Sequence, residues 1–197
     1  VEFFLNTAVS SFAKKNDRLL ITLNTTRTIE TDLVILSIGV RPDTKLAKDA
    51  GLTIGEANGI AVNKYLQTSN PNIYAVGDAI EFENSIIGKK MITYLAGPAN
   101  KQGRIAADNI VLGNKKHYKG AINTAIAKVF DLTVASTGVS GKMLEKHGVA
   151  HIDSTTHSSS HAGYYPGAQP MSIKISFSPV DGRLLGAQVV GYDGVDK

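Results

Sequence analysis

The 197 residues carry 43% hydrophobic side chains, a formal net charge of +4 and no cysteine. That composition suits one large or two small folded domains, and it excludes disulfide frameworks, thiolate metal centres and thiol catalysis by these residues. No apolar run approaches the ~18 residues of a membrane span and no secretory leader opens the chain. The lysine pairs (14 and 15, 89 and 90, 115 and 116) lack the arginine stripe with interleaved aromatics of a nucleic-acid face. A cytoplasmic protein without membrane or nucleic-acid partners is therefore the expectation, with the lysines read as solvated loops or as a field favouring a polyphosphate.

The chain opens on "VEFFLNTAV", which reads as a strand, and both ends read as cut. Residues 18 to 38 hold two apolar runs, "RLLITL" and "DLVILSIG", on either side of the polar "NTTRTIET". This predicts a β-meander whose second strand is fully buried. Gly39 and Pro42 end it, and "KLAKDAGL" is a short helix closed by Gly51. "GIAVNKYLQTSNPNIYAVGDA" predicts a strand, a turn at Pro71 and a strand from Ile73 to Val76. "EFENSIIGKKMITYLA" predicts a hairpin. "GPANKQGRIAADNIVLG" is the best-marked helix, with Pro98 in its first turn and Gly113 at its end. Ala99, Gly103, Ala106 and Ile110 give it a stripe of small side chains that lets a neighbour approach closely. After a boundary at "HYKGAIN" come a strand "AIAKVFDLTVAST", a helix "SGKMLEKHG", a Ser/His-rich loop leading to "HAGYYPGAQP", and two alternating strands joined by "DG". The fold class is α/β followed by an α+β region on an antiparallel sheet. Tyr65, Tyr74 and Phe130 are expected in the core.

A strand that stops on Gly77 and at once presents Asp78 solves a specific problem. Gly77 has no Cβ, so a ligand can lie against its backbone. Asp78 stands at the carboxyl end of a strand, where α/β sheets take ligands, and its carboxylate can accept a hydrogen bond from a sugar-alcohol hydroxyl. "GD" alone is more often a turn aspartate capping its own backbone; the full "TSNPNIYAVGD" is more specific. It resembles the second flavin-binding signature of the FAD-dependent pyridine nucleotide-disulfide oxidoreductases. "TDLVILSIGVRPDT" resembles their segment leading from the NAD(P)H domain back to the FAD domain. "LAGPANKQGRIAADNI" and "SHAGYYPGA" are similar to segments of the branch containing CoA-disulfide reductases, CoA-persulfide reductases and NADH oxidases. The resemblance covers nearly the whole chain, in the family's order.

The resemblance implies that residues 1–45 end an NAD(P)H-binding domain, 46–116 end an FAD-binding domain, and 117–197 form an incomplete dimerisation domain. It implies FAD and NAD(P)H as cofactors and a homodimer acting on a CoA-type disulfide or persulfide. Asp78 would bind the ribitol of FAD beside Gly77. The helix start at Ala96, Gly97 and Ala99 would direct free N–H groups at the flavin and stabilise negative charge on the reduced ring. Gly39 would lie near the nicotinamide. Asn100 would contact substrate, and Tyr165, or failing it Tyr164, would reach the partner's redox centre and donate a proton to a departing thiolate. His161 would contact substrate or be a plain loop histidine.

The family's two glycine-rich pyrophosphate loops and its redox cysteine have no counterpart here. The expectation is a carboxyl-terminal portion of a longer enzyme, inactive when isolated. Its parent would pass electrons from NAD(P)H through FAD and an upstream cysteine to CoA disulfide, CoA persulfide or polysulfide. An NADH oxidase or peroxidase on the same scaffold is the alternative, and a non-catalytic dimerisation fragment is the reading of another class. His157 and His161 stand four apart with His151 nearby, but their segment is serine-rich without helical apolar periodicity and no cysteine or clear carboxylate joins it, so no metal site is expected. "GVSG" is not a nucleophile elbow.

Overall fold

The computed structural model describes residues 1–196. They form two compact units, Val1–Arg41 and Pro42–Lys197.

The first unit is an antiparallel meander of β1 (Val9–Lys15), β2 (Arg18–Leu23) and β3 (Thr28–Thr31). Asn16, at φ 55, turns the first hairpin, because asparagine tolerates the left-handed region better than most residues. Lys15 donates to Glu30 at 2.7 Å and Arg18 to Asp32 at 3.1 Å across the strands. The opening residues 1–8 are not strand, so the first strand begins later than the sequence predicts. The larger correction is "DLVILSIG", which forms no strand. Leu33, Ile35, Leu36, Ile38 and Val40 are between 63% and 87% exposed. The run has the β-branched composition of a central strand, but such a strand needs hydrogen-bonding neighbours and cover on both faces. The three strands of this unit supply neither.

The second unit begins with α1 (Lys45–Asp49), stopped at Gly51 with φ +71. β4 (Ile60–Ala61), β5 (Ile80–Asn84) and β6 (Lys89–Met91) make a small mixed sheet, parallel between β4 and β5 and antiparallel between β5 and β6. The predicted strand Ile73–Val76 is reduced to a single bridge between Gln67 and Tyr74. A 3-10 turn, Gly77–Ala79, then leads into β5. The long helix α2 (Ala96–Leu112) ends at Gly113, whose φ of 80 makes it a left-handed cap. Leu66, Ile80, Phe82, Ala106 and Tyr118 form the core between the small sheet and α2, with Tyr74 packed against it.

The predicted strand 125–137 is in fact a hairpin, β7 (Ala125–Val129) and β8 (Leu132–Gly138). It turns at Phe130, which has φ 51 and is 93% exposed, so Phe130 is not a core residue. After α3 (Gly141–Lys146), the expected Ser/His-rich loop is largely an edge strand, β9 (Ile152–Ser159). Its hydroxyl-bearing residues, Ser154, Thr155, Thr156, Ser158 and Ser159, lie on an edge strand exposed along its length, a setting that apolar periodicity cannot reveal. β10 (Pro170–Phe177) and β11 (Leu184–Gly191) complete an antiparallel sheet in the order β7-β8-β11-β10-β9, and Asp181-Gly182 turns the last hairpin with Gly182 at φ +68. Ile86 and Ile87, at the tip of the β5–β6 hairpin, pack on Val139, Leu144 and Leu185 of this region. No helix of the described residues is long and apolar enough to cross a membrane.

Candidate functional site

The Gly77–Ala79 turn lies against the amino-terminal half of α2. A Cβ built on Gly77 would have Ala99 Cβ as its nearest neighbour, at 4.0 Å. Space alone would admit a side chain there; the φ of +78 is what requires glycine. Asp78 is exposed in this turn, and its carboxylate makes no hydrogen bond among the described residues.

The first turn of α2 is built from small residues. Leu95 precedes it in extended conformation, no side chain caps it and no acidic residue sits in it. Helix amino ends leave backbone N–H groups unsatisfied and carry a partial positive charge. Ala96 and Gly97 are exposed, and a Cβ on Gly97 would meet nothing within 4 Å. Ala99, Asn100, Gly103 and Arg104 line a shallow depression on the same helix. Asn100 turns its side chain back, donating to the carbonyl of Ala96 at 3.0 Å.

The small-residue stripe is only partly buried. Ala106 is in the core, but Gly103 faces open space and Ile110 is 62% exposed. The inward face of α2 instead carries Gln102, Ala106 and Asn109. Gln102 accepts from the Gly77 N–H at 2.6 Å and donates to the Tyr118 hydroxyl at 2.9 Å. Asn109 donates to the carbonyls of Tyr65 and Lys116 at 3.0 and 2.8 Å, and accepts from the Lys116 N–H at 2.7 Å. The chain leaving the helix is thereby fastened to the helix itself. Sequence reading missed both amides, because polar residues on the inward face invert the apolar pattern it follows. Their one signal is that they flank Ala106 at helical spacing. Burial pushes the Tyr118 phenol above its ordinary pKa, and the bond from Gln102 opposes this in part. Tyr118 also lines a cleft of about 430 Å³ with Gly97, Pro98, Lys101 and Asn123.

The structure sets the Gly77–Asp78 turn against Ala99 of α2, the helix whose first two turns also carry Ala96, Gly97 and Asn100. Gly39, at φ +81, lies in the first unit. Tyr164 and Tyr165 stand together in the loop between β9 and β10, ring centroids 4.9 Å apart and both exposed. His161 shares that loop, its ring Nδ1 3.4 Å from the Ala162 carbonyl oxygen. Among the described residues no hydrogen bond or ring contact joins this loop to the Asp78 turn. Of the other histidines, His157 bonds Ser172 at 2.8 Å and His151 lies 3.9 Å from Asp153.

Residues 1–103 match the model of the pyridine nucleotide-disulphide oxidoreductases, and residues 124–196 match the dimerisation domain of the same family. An NADH oxidase of Methanocaldococcus jannaschii is 37% identical over 166 residues, 84% of this chain and 36% of the relative. An NAD(P)H coenzyme A polysulfide/persulfide reductase of Pyrococcus horikoshii is 37% identical over 162 residues, 82% of this chain and 36% of the relative. The crystal structure of reduced Bacillus anthracis CoADR-RHD superposes with a TM-score of 0.84 at 46% identity, covering 90% of this chain and 32% of that one. The chain thus spans a little over a third of the curated relatives it matches. With residues 1–103 matching the family and residues 124–196 its dimerisation domain, this chain belongs to the pyridine nucleotide-disulphide oxidoreductases, FAD- and NAD(P)H-dependent enzymes.

Proposed function

We propose that this chain works as part of a flavin-dependent oxidoreductase that moves electrons from NAD(P)H, through FAD and a cysteine elsewhere in the protein, to CoA disulfide, CoA persulfide or polysulfide. The observation that carries this reading is the Asp78 turn packed beside an uncapped, acid-free helix start. FAD, when bound, supplies a ring that accepts hydride from NAD(P)H and hands electrons on. The residues of this site fit such a group: Gly77 leaves the backbone approachable, and Asp78 offers an unengaged acceptor for a ribitol hydroxyl. The N–H groups and positive end of α2 favour anionic charge on a nearby ring.

Gly39 would border the nicotinamide and Asn100 the substrate. Tyr165, or Tyr164 beside it, would serve the redox centre of the second subunit of a homodimer. Exposure of both rings suits a role outside their own subunit, and a phenol can donate a proton to a departing thiolate. His161 would stand at the edge of the same substrate path. The boundaries 1–45, 46–116 and 117–197 go with this reading as the ends of the NAD(P)H and FAD domains and the dimerisation domain.

NADH oxidation with oxygen as acceptor is the second reading, favoured by the equally similar relative of M. jannaschii. The test is NADH and NADPH consumption by the full-length protein, with CoA disulfide, polysulfide or oxygen offered separately. Release of CoA thiol in step with NAD(P)H supports the first reading. NADH loss matched by oxygen uptake, with CoA disulfide untouched, overturns it in favour of the second.

A further inference from the structure

We infer that Gln102 is a positioning residue for the cofactor site: its buried amide sets the Gly77–Asp78 turn and ties that turn to the start of the segment leading to the terminal sheet. The inference rests on the cofactor reading above and concerns a residue that neither touches the proposed ligand nor belongs to the flavin signature.

The orientation of the amide is fixed by chemistry. A backbone N–H can only donate, so the side-chain oxygen of Gln102 must face Gly77, at 2.6 Å. The nitrogen therefore faces Tyr118, whose hydroxyl oxygen accepts at 2.9 Å. Gln102 is 1% exposed, and burial of an amide is costly unless both ends are bonded. Here both are, and a fully bonded buried polar group favours one arrangement of its neighbours over others.

Each end of this bridge has a consequence. Glycine has the widest backbone freedom of any residue, and Gly77 opens the short turn that aims Asp78. Its N–H bond to Gln102 selects one setting of that turn. At the other end Tyr118 is itself immobilised. It sits edge-on to Phe82 with ring centroids 5.6 Å apart, and its N–H donates to the Lys64 carbonyl at 2.8 Å. Gln102 thus references the Asp78 turn to a rigid part of the core.

The experiment compares FAD dissociation constants of the full-length wild-type enzyme with those of Gln102→Met, Gln102→Glu and Tyr118→Phe, alongside apoenzyme melting temperatures. Methionine keeps the volume and removes the acceptor; FAD affinity is expected to fall about tenfold. Glutamate keeps an acceptor for Gly77 and can accept from the Tyr118 hydroxyl, so its affinity is expected within about threefold of wild type. Wild-type affinity in the methionine variant, with only its melting temperature lowered, would mean a purely structural amide and overturn the inference. So would equal losses in the methionine and glutamate variants. If the methionine variant does not fold, Tyr118→Phe decides: a loss of about threefold supports the bridge, and unchanged affinity overturns it. Failure of the wild-type enzyme to hold FAD would overturn the cofactor reading itself, and the inference with it.

Discussion

Gly77 occupies a backbone region that costs other L-residues roughly 1–2 kcal/mol, at φ +78. That geometry turns the chain so that Asp78 leaves the core and faces solvent beside α2. The carboxylate has no intramolecular partner among the described residues, so removing it should cost the fold little and the ligand much. Asp78→Asn in the full-length enzyme is expected to weaken FAD binding by about tenfold, the scale of one charge-assisted hydrogen bond, while thermal stability stays within the scatter of surface substitutions. Flavin fluorescence during titration of the apoenzyme measures the first, and calorimetry the second. A large loss of stability with unchanged affinity would make Asp78 a structural turn residue instead.

Elements here depend on close backbone approach as much as on apolar burial. Gly186 of β11 faces the end of β8 so closely that an added Cβ would lie 2.1 Å from the Val139 carbonyl oxygen. Backbone cannot yield as a flexible side chain can, so Gly186→Ala is expected to destabilise by about 2–4 kcal/mol, at the upper end of single substitutions. Denaturant midpoints of the variant and wild type decide; equal midpoints would mean that the two strands can separate freely. The same dependence explains which elements were legible in the sequence. α2 was legible from Pro98 to Gly113 because its punctuation is local, and so was the β10–β11 hairpin, because Asp181-Gly182 sets its own turn. The runs at 33–38 and 73–76 were apolar enough to be strands, yet a strand is defined by partners that its own residues do not encode. β9 failed in the opposite direction: serines, threonines and a histidine gave no strand signal, and pairing with β10 made the strand nonetheless. The site divides in the same way. Gly77, Asp78 and the helix start could be read from residue type, whereas Gln102 and Tyr118 emerge only once α2 is set beside the turn and the segment that follows it.

For the molecule as a whole, the terminal sheet carries an acid-sensitive joint. Asp153 on β9 accepts from Lys174 at 2.7 Å and from Ser176 at 2.6 Å, with His151 3.9 Å away. The bonds from Lys174 and Ser176 hold its carboxyl below the ordinary aspartate value. A depressed folded pKa means stability that is fully present above the unfolded value of about 3.9 and is lost as pH falls through the folded one. Lys174→Met should therefore lower the melting temperature near neutrality, and the gap from wild type should close as pH drops below about 4. A gap that persists unchanged in acid would show that packing, not the ion pair, is what Lys174 contributes. The β5–β6 hairpin has a wider consequence. Its base belongs to the small sheet that the Gly77–Ala79 turn leads into, while its tip, Ile86 and Ile87, packs half-buried against Val139, Leu144 and Leu185 of the terminal sheet region. Neither region can melt without stripping the other of apolar cover. Residues 42–196 are thus expected to unfold as one cooperative body, with calorimetric and van't Hoff enthalpies in agreement. Trimming Ile86 and Ile87 to alanine should split that single transition into two.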